Sequence, residues 1–151
     1  MLAGLGSLWA DPTAGGSALA QGARDDDTGP PADAPLMRPG QRIQRDRGWV
    51  GITTFNRSYA PRQQESVFTL QFTYLNEHSR ETPLRARDVA RLVTDGIPRA
   101  PVQWFPDYAN IPPESAQECS LTFRVRGRPG VVLVQFGTGD ETARSFLRWP
   151  D

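Results

Sequence analysis

Between Phe68 and Tyr74 the chain alternates strictly: Phe68, Leu70, Phe72 and Tyr74 are separated by Thr69, Gln71 and Thr73. A period of two places successive side chains on opposite faces of an extended strand, so one row is core and the other faces away. Burying such a row contributes about 1.5 to 3 kcal/mol per side chain, which predicts that Phe72→Ala unfolds the domain. The same alternation returns from Ser115 to Arg126, with Cys119, Leu121, Phe123 and Val125 inward and Thr122, Arg124 and Arg126 outward.

Weaker segments fall around these two. Trp49 to Phe55 is β-branched and aromatic, and Asn56-Arg57-Ser58 with Pro61 predicts its end. Leu75 to Ser79 reads as a turn, and Thr82-Pro83-Leu84 restarts the chain in extended form. Arg85 to Val93 fits either a helical turn or a short strand from Val89 to Val93 that stops at Thr94-Asp95-Gly96. Pro98, Pro101, Pro106, Pro112 and Pro113 predict a long irregular loop over residues 97 to 114, holding Trp104, Phe105 and Tyr108. Gly127-Arg128-Pro129-Gly130 predicts a tight turn joining the Ser115–Arg126 strand to Val131–Phe136 as a hairpin. After a turn at Gly137 to Asp140, Ser145 to Trp149 supplies a last strand.

Antiparallel strands of this number, joined by short turns, predict an all-β, two-sheet sandwich over residues 49 to 151. Fourteen Gly and fourteen Pro in 151 residues leave little room for long helices. Residues 1 to 48 hold almost no large apolar side chains after Trp9. Residues 21 to 48, with Asp25-Asp26-Asp27, Gly29-Pro30-Pro31 and Pro35, read as an acidic, Pro-rich disordered linker, because they cannot bury enough area to offset ordering. Order is therefore expected to begin at Trp49. Within residues 1 to 20, Ala18-Leu19-Ala20 fits a signal-peptidase site, but no basic residue precedes the apolar stretch and Asp11-Pro12 interrupts it. A signal-peptide remnant and a flexible Ala/Gly-rich leader both remain open.

Net charge is zero but divided: residues 1 to 40 carry −3 and residues 41 to 151 carry +3. That balance gives no support to an electrostatic search for nucleic acid. No stretch approaches the roughly 18 apolar residues of a spanning helix, so an integral helical membrane protein is not expected. All 17 basic residues are Arg, a bias read here as a GC-rich coding background. Cys119 has no partner for an internal disulfide, and one Cys with one His falls short of a structural zinc site.

An opening strand, a long alternating strand closing on Asn76, a Pro-rich middle, and then Leu121 to Phe136 together resemble the immunoglobulin-like accessory domains of bacterial exported proteins. The resemblance covers residues 49 to 149. It implies a non-enzymatic role and a periplasmic or extracellular location, with a cytoplasmic one as the alternative. The chain departs from such domains in having no Cys pair between the sheets and no lipid-attachment Cys near its N-terminus.

The candidate chemistry is sparse. His78, near Glu77 and Glu81, is the one imidazole on which a metal-assisted hydrolase could centre; an exposed turn histidine is the simpler reading. No Gly-x-Ser-x-Gly elbow is present. Cys119 shares a face with Leu121 and Phe123, so it reads as a buried small hydrophobe rather than a nucleophile. Arg124, Arg126 and Arg128 could form a basic stripe but lack interleaved aromatics, so a solvated sheet face is favoured over nucleic-acid contact. Trp104, Phe105 and Tyr108, in a Pro-stiffened segment, are economical contact residues for a protein partner, and equally could plug one end of the sandwich. Trp149 has the same two readings. The expectation is thus a cofactor-free protein-interaction module. A self-associating structural subunit built through strand edges is the alternative.

Overall fold

The computed structural model describes residues 33 to 137 and 143 to 151. Eleven strands follow in order: β1 (Arg42–Arg45), β2 (Gly48–Ala60), β3 (Glu65–Asn76), β4 (Thr82–Leu84), β5 (Ala90–Thr94), β6 (Ile97–Arg99), β7 (Gln103–Phe105), β8 (Ala109–Ile111), β9 (Ala116–Arg126), β10 (Val132–Phe136) and β11 (Ser145–Arg148). One 3-10 turn, Ala86–Asp88, lies between β4 and β5. The leader at residues 1 to 20 and the first part of the predicted linker lie outside the described residues.

Two antiparallel sheets form the sandwich. One has the order β1-β2-β3-β9-β7 and the other β11-β10-β5-β6, while β4 and β8 make a separate two-stranded ribbon. Leaving aside β1 and the ribbon, the strands taken in chain order fall into the two four-stranded sets β2-β3-β9-β7 and β11-β10-β5-β6. This is the immunoglobulin-type arrangement, in which the chain passes between sheets after its second, fourth and sixth strands. The alternating rows do what their period requires. Phe68, Leu70 and Phe72 of β3 pair across the sheet with Phe123, Leu121 and Cys119 of β9, and all six are buried. They meet Leu92, Val134 and Phe136 from the other sheet in a single core cluster.

Several expectations are corrected. Order does not wait for Trp49: Met37 and Ile43 are buried, Arg42–Arg45 forms a strand against β2, and Leu36 bridges Arg148 in parallel. The physical reason is that one or two apolar anchors suffice to fix a segment once a sheet edge offers its backbone partners. The segment's polar composition hid this. Nor does Asn56-Arg57-Ser58 end β2. The β2–β3 register shifts between Ile52 and Thr54, and this bulge at Thr53 moves the inward positions from Val50 and Ile52 to Phe55, Arg57 and Tyr59. The alternation appears broken in sequence although the strand runs on to Ala60.

The Arg85–Val93 ambiguity resolves into both alternatives, a 3-10 turn followed by β5. Asp95 and Gly96, at φ +54° and +75°, form the two-residue turn of the β5–β6 hairpin. Residues 97 to 114 are not one irregular loop but carry β6, β7 and β8, each of three residues. Their prolines sit where a missing N–H is tolerated: Pro98 is in edge strand β6, and Pro101, Pro106 and Pro112 lie just outside strands. Finally, β9 and β10 are not a hairpin. β9 pairs with β3 and β7, whereas β10 pairs with β5 and β11, so residues 127 to 131 carry the chain from one sheet to the other.

Candidate functional site

The segment from Val102 to Tyr108 runs from the edge of one sheet to the ribbon. Register with β9 pairs Trp104 with Leu121 and Phe105 with Ser120. Paired residues share a face, so Trp104 turns inward with Leu121 and packs on the core, while Phe105 turns outward. Phe105 is 61% exposed, Tyr108 51% and Val102 49%. The segment is held at several points. The Trp104 indole N–H donates to Asp107 Oδ1 at 3.1 Å, the Tyr108 hydroxyl donates to Asn110 Oδ1 at 2.9 Å, and the Ala86 N–H donates to the Pro106 carbonyl at 3.4 Å. Arg87 lies over the Trp104 ring at 5.0 Å and Arg85 over the Tyr108 ring at 5.5 Å. The two readings of the aromatics therefore divide between residues: Trp104 plugs the sandwich, and Phe105 and Tyr108 face outward.

The other sequence candidates are dispersed. Arg124 and Arg126 lie exposed on the outer face of β9, opposite Val67 and Glu65, and Arg124 is 3.7 Å from Glu65. Arg128 leaves that stripe and stacks on Tyr59 at 3.7 Å. Trp149 is withdrawn as a contact residue. It is 2% exposed and packs edge-on against Phe68 and Phe55, at 5.1 and 5.6 Å between ring centroids, so no partner can reach it. Cys119 is buried and desolvation pushes its thiol up to about 12, which leaves it protonated at neutral pH. His78 is half-buried in the turn after β3, where its Nδ1 accepts from the Arg80 N–H at 3.2 Å. Among the described residues no group of three or more His, Cys, Asp or Glu is placed to hold a metal ion.

A cleft of about 450 Å³ opens between the β1–β2 turn and the segment from β4 to the 3-10 turn. Arg45 and Arg47 line it from one side and Arg85 from the other, with Leu84, Val89 and Tyr108 between them. The only trace in the sequence is two short Arg-x-Arg runs, Arg45-Asp46-Arg47 and Arg85-Ala86-Arg87, separated by some forty residues. Nothing in their spacing shows that β3 and β4 bring them together.

No family model and no curated protein matches the chain. Among solved structures, the chain is similar to an uncharacterized β-sandwich protein from Clostridium difficile 630, with a TM-score of 0.53 at 11% identity. That match covers 82% of this chain and 99% of the other. At such identity the likeness speaks for architecture alone, and the architecture is an antiparallel β-sandwich.

Proposed function

We propose that this chain is a non-enzymatic protein-interaction module of the immunoglobulin-like accessory kind, belonging to an exported or envelope-associated protein, and that it docks its partner through Val102, Phe105 and Tyr108. The observation that carries this reading is the contrast within one segment: Trp104 anchors it to the core, while Phe105, three-fifths exposed, stands on the outer face of an edge strand. Large apolar groups held in place before binding lose little entropy on docking, which is why aromatics dominate interface energetics. Among the described residues strand β7 pairs with β9 alone, so an extended partner segment could add to its other side.

The alternative of self-assembly through strand edges is opposed at the β6 and β1 edges. Edge strand β6 carries Pro98 and edge strand β1 carries Arg42 and Arg45, and both residue types oppose edge-to-edge pairing.

Photocrosslinking in the native host tests the docking reading, with a photoreactive phenylalanine analogue in place of Phe105 and, as control, of Gln71 on the outer face of the same sheet. A discrete adduct to a second protein from position 105 and none from 71 is expected. An adduct of this chain with itself would favour self-assembly. No adduct from 105, in a protein shown to be folded, would remove the segment from the account.

A further inference from the structure

We infer that the cleft between the β1–β2 turn and the β4 to 3-10 segment binds a small organic anion, an oxyanion carried on an apolar body. Its volume of about 450 Å³ falls in the range of small-molecule sites. Two exposed arginines, Arg47 and Arg85, line it from separate elements. A planar guanidinium presents paired N–H donors that match the oxygens of a carboxylate or phosphate, so two arginines lining one cleft favour such a group over a neutral polar one.

The remaining lining fits the other half of the ligand. Leu84 and Val89 are buried and form apolar wall, and the Tyr108 ring stands at the rim beneath the Arg85 guanidinium. Both walls are fixed by backbone bonds. The Arg47 carbonyl accepts from the Glu77 N–H at 2.9 Å, and β4 is paired with β8 through Thr82–Ile111 and Leu84–Ala109. Two carboxylates also line the cleft. Asp88 is 3.8 Å from Arg87 and 3.7 Å from Arg91, which offsets its charge. Asp46 opposes an incoming anion, and its removal should strengthen binding. Val102 and Phe105 are not part of this lining, so the site stands apart from the proposed protein contact and shares only Tyr108 with it.

NMR titration of the full chain with phenyl phosphate, benzoate, inorganic phosphate and phenol tests the inference. Saturable shifts centred on Arg47, Leu84 and Arg85 are expected with phenyl phosphate or benzoate, about tenfold weaker binding with inorganic phosphate, and none with phenol. Arg47→Gln and Arg85→Gln should each weaken phenyl phosphate by about tenfold, and Asp46→Asn should tighten it, with urea midpoints unchanged in all three. Phe105→Ala should leave the titration as it was. The inference is overturned if neither aromatic anion saturates, if the shifts map to Arg124 and Arg126 instead, or if both Arg→Gln variants bind as the parent does.

Discussion

The Thr82 hydroxyl donates to Oδ1 of the fully buried Asn76 carboxamide at 3.0 Å, and this bond joins the end of β3 to the start of β4. Asn76 Oδ1 also accepts from the His78 N–H at 2.9 Å, while its Nδ2 faces the carbonyls of Arg80, Ile111 and Pro112 at 2.8, 2.9 and 3.2 Å. Its backbone is paired with Ser115 and Glu114. One side chain thus ties together the turn after β3, the end of β8 and the entry to β9. Asn76→Asp puts a carboxylate oxygen where a donor faces three carbonyls, and should cost about 3 kcal/mol or more in urea denaturation near neutral pH. Protonation restores one donor, so the deficit should shrink as pH is lowered. Thr82→Val removes a single bond and should cost about 1 kcal/mol. Equal small losses in both variants would show that the carboxamide does not organise this end of the sandwich.

Phe72 and Phe105 lie at opposite extremes of exposure, 1% and 61%. Phe72→Ala opens a cavity between the sheets and should cost about 3 to 5 kcal/mol, a large share of the roughly 5 to 15 kcal/mol that holds an ordinary domain folded. Phe105→Ala removes an exposed ring and should change stability by no more than about 0.5 kcal/mol. Urea or thermal denaturation of the two variants side by side checks both. A large loss on Phe105→Ala would make that ring structural and weaken its role as a docking group.

The different fates of these two rings were only half legible in the sequence. Phe72 sits in a run of strict alternation, and its neighbours Leu70 and Tyr74 repeat the signal, so burial followed from periodicity alone. Phe105 adjoins Trp104 in a three-residue strand, too short for any period to show, and only pairing with Ser120 reveals which way it faces. β10 failed for the opposite reason. All five of its residues are buried, so it has no polar face to reveal its position, and adjacency in sequence suggested a hairpin where the chain changes sheet. The cleft was illegible because it joins residues from distant elements. Trp149 was ambiguous because a single aromatic at a strand end carries no pattern.

Burial of Cys119 predicts a pH dependence. Its thiol is pushed from the ordinary 9.0 to about 12 by desolvation. The unfolded chain therefore loses this proton first, so above pH 9 unfolding releases a proton and stability falls as pH rises toward 12. The stabilising difference is fully present below about pH 9, and by about pH 10.5 the loss from this group should be on the order of 2 kcal/mol. Cys119→Ala should flatten that part of the profile. At pH 8 the native thiol should resist iodoacetamide and react only in denaturant; rapid native labelling would contradict the burial.

Gly48 tests how closely β2 and β3 approach at their paired ends. A methyl group there would lie 1.8 Å from the Leu75 carbonyl oxygen, which is backbone and cannot swing aside. Gly48→Ala must therefore part the strands where Gly48 pairs with Asn76. A loss of about 1 to 3 kcal/mol is expected from overpacking. Because Asn76 organises the same end, Gly48→Ala and Thr82→Val should couple, and a double-mutant cycle giving strict additivity would refute that link.

Trp149 closes the core beside Phe68. Its ring meets Phe68 at 81° and Phe55 at 72°, both edge-to-face, and its backbone N–H donates to the Val132 carbonyl at 2.8 Å, beyond the last residue of β11. The edge-to-face geometry sets the positive ring edge against a neighbouring π face, and the large area buried adds to it. Trp149→Ala should cost about 3 to 5 kcal/mol, with the tryptophan fluorescence of the native state shifting to the red as its buried emitter is lost. Trp149→Phe keeps an aromatic in the same site and should recover most of that stability, since the backbone bond to Val132 does not depend on the side chain. If Trp149→Ala instead left stability unchanged while abolishing partner binding, the side chain would be a contact residue after all, and its placement between Phe68 and Phe55 would be wrong.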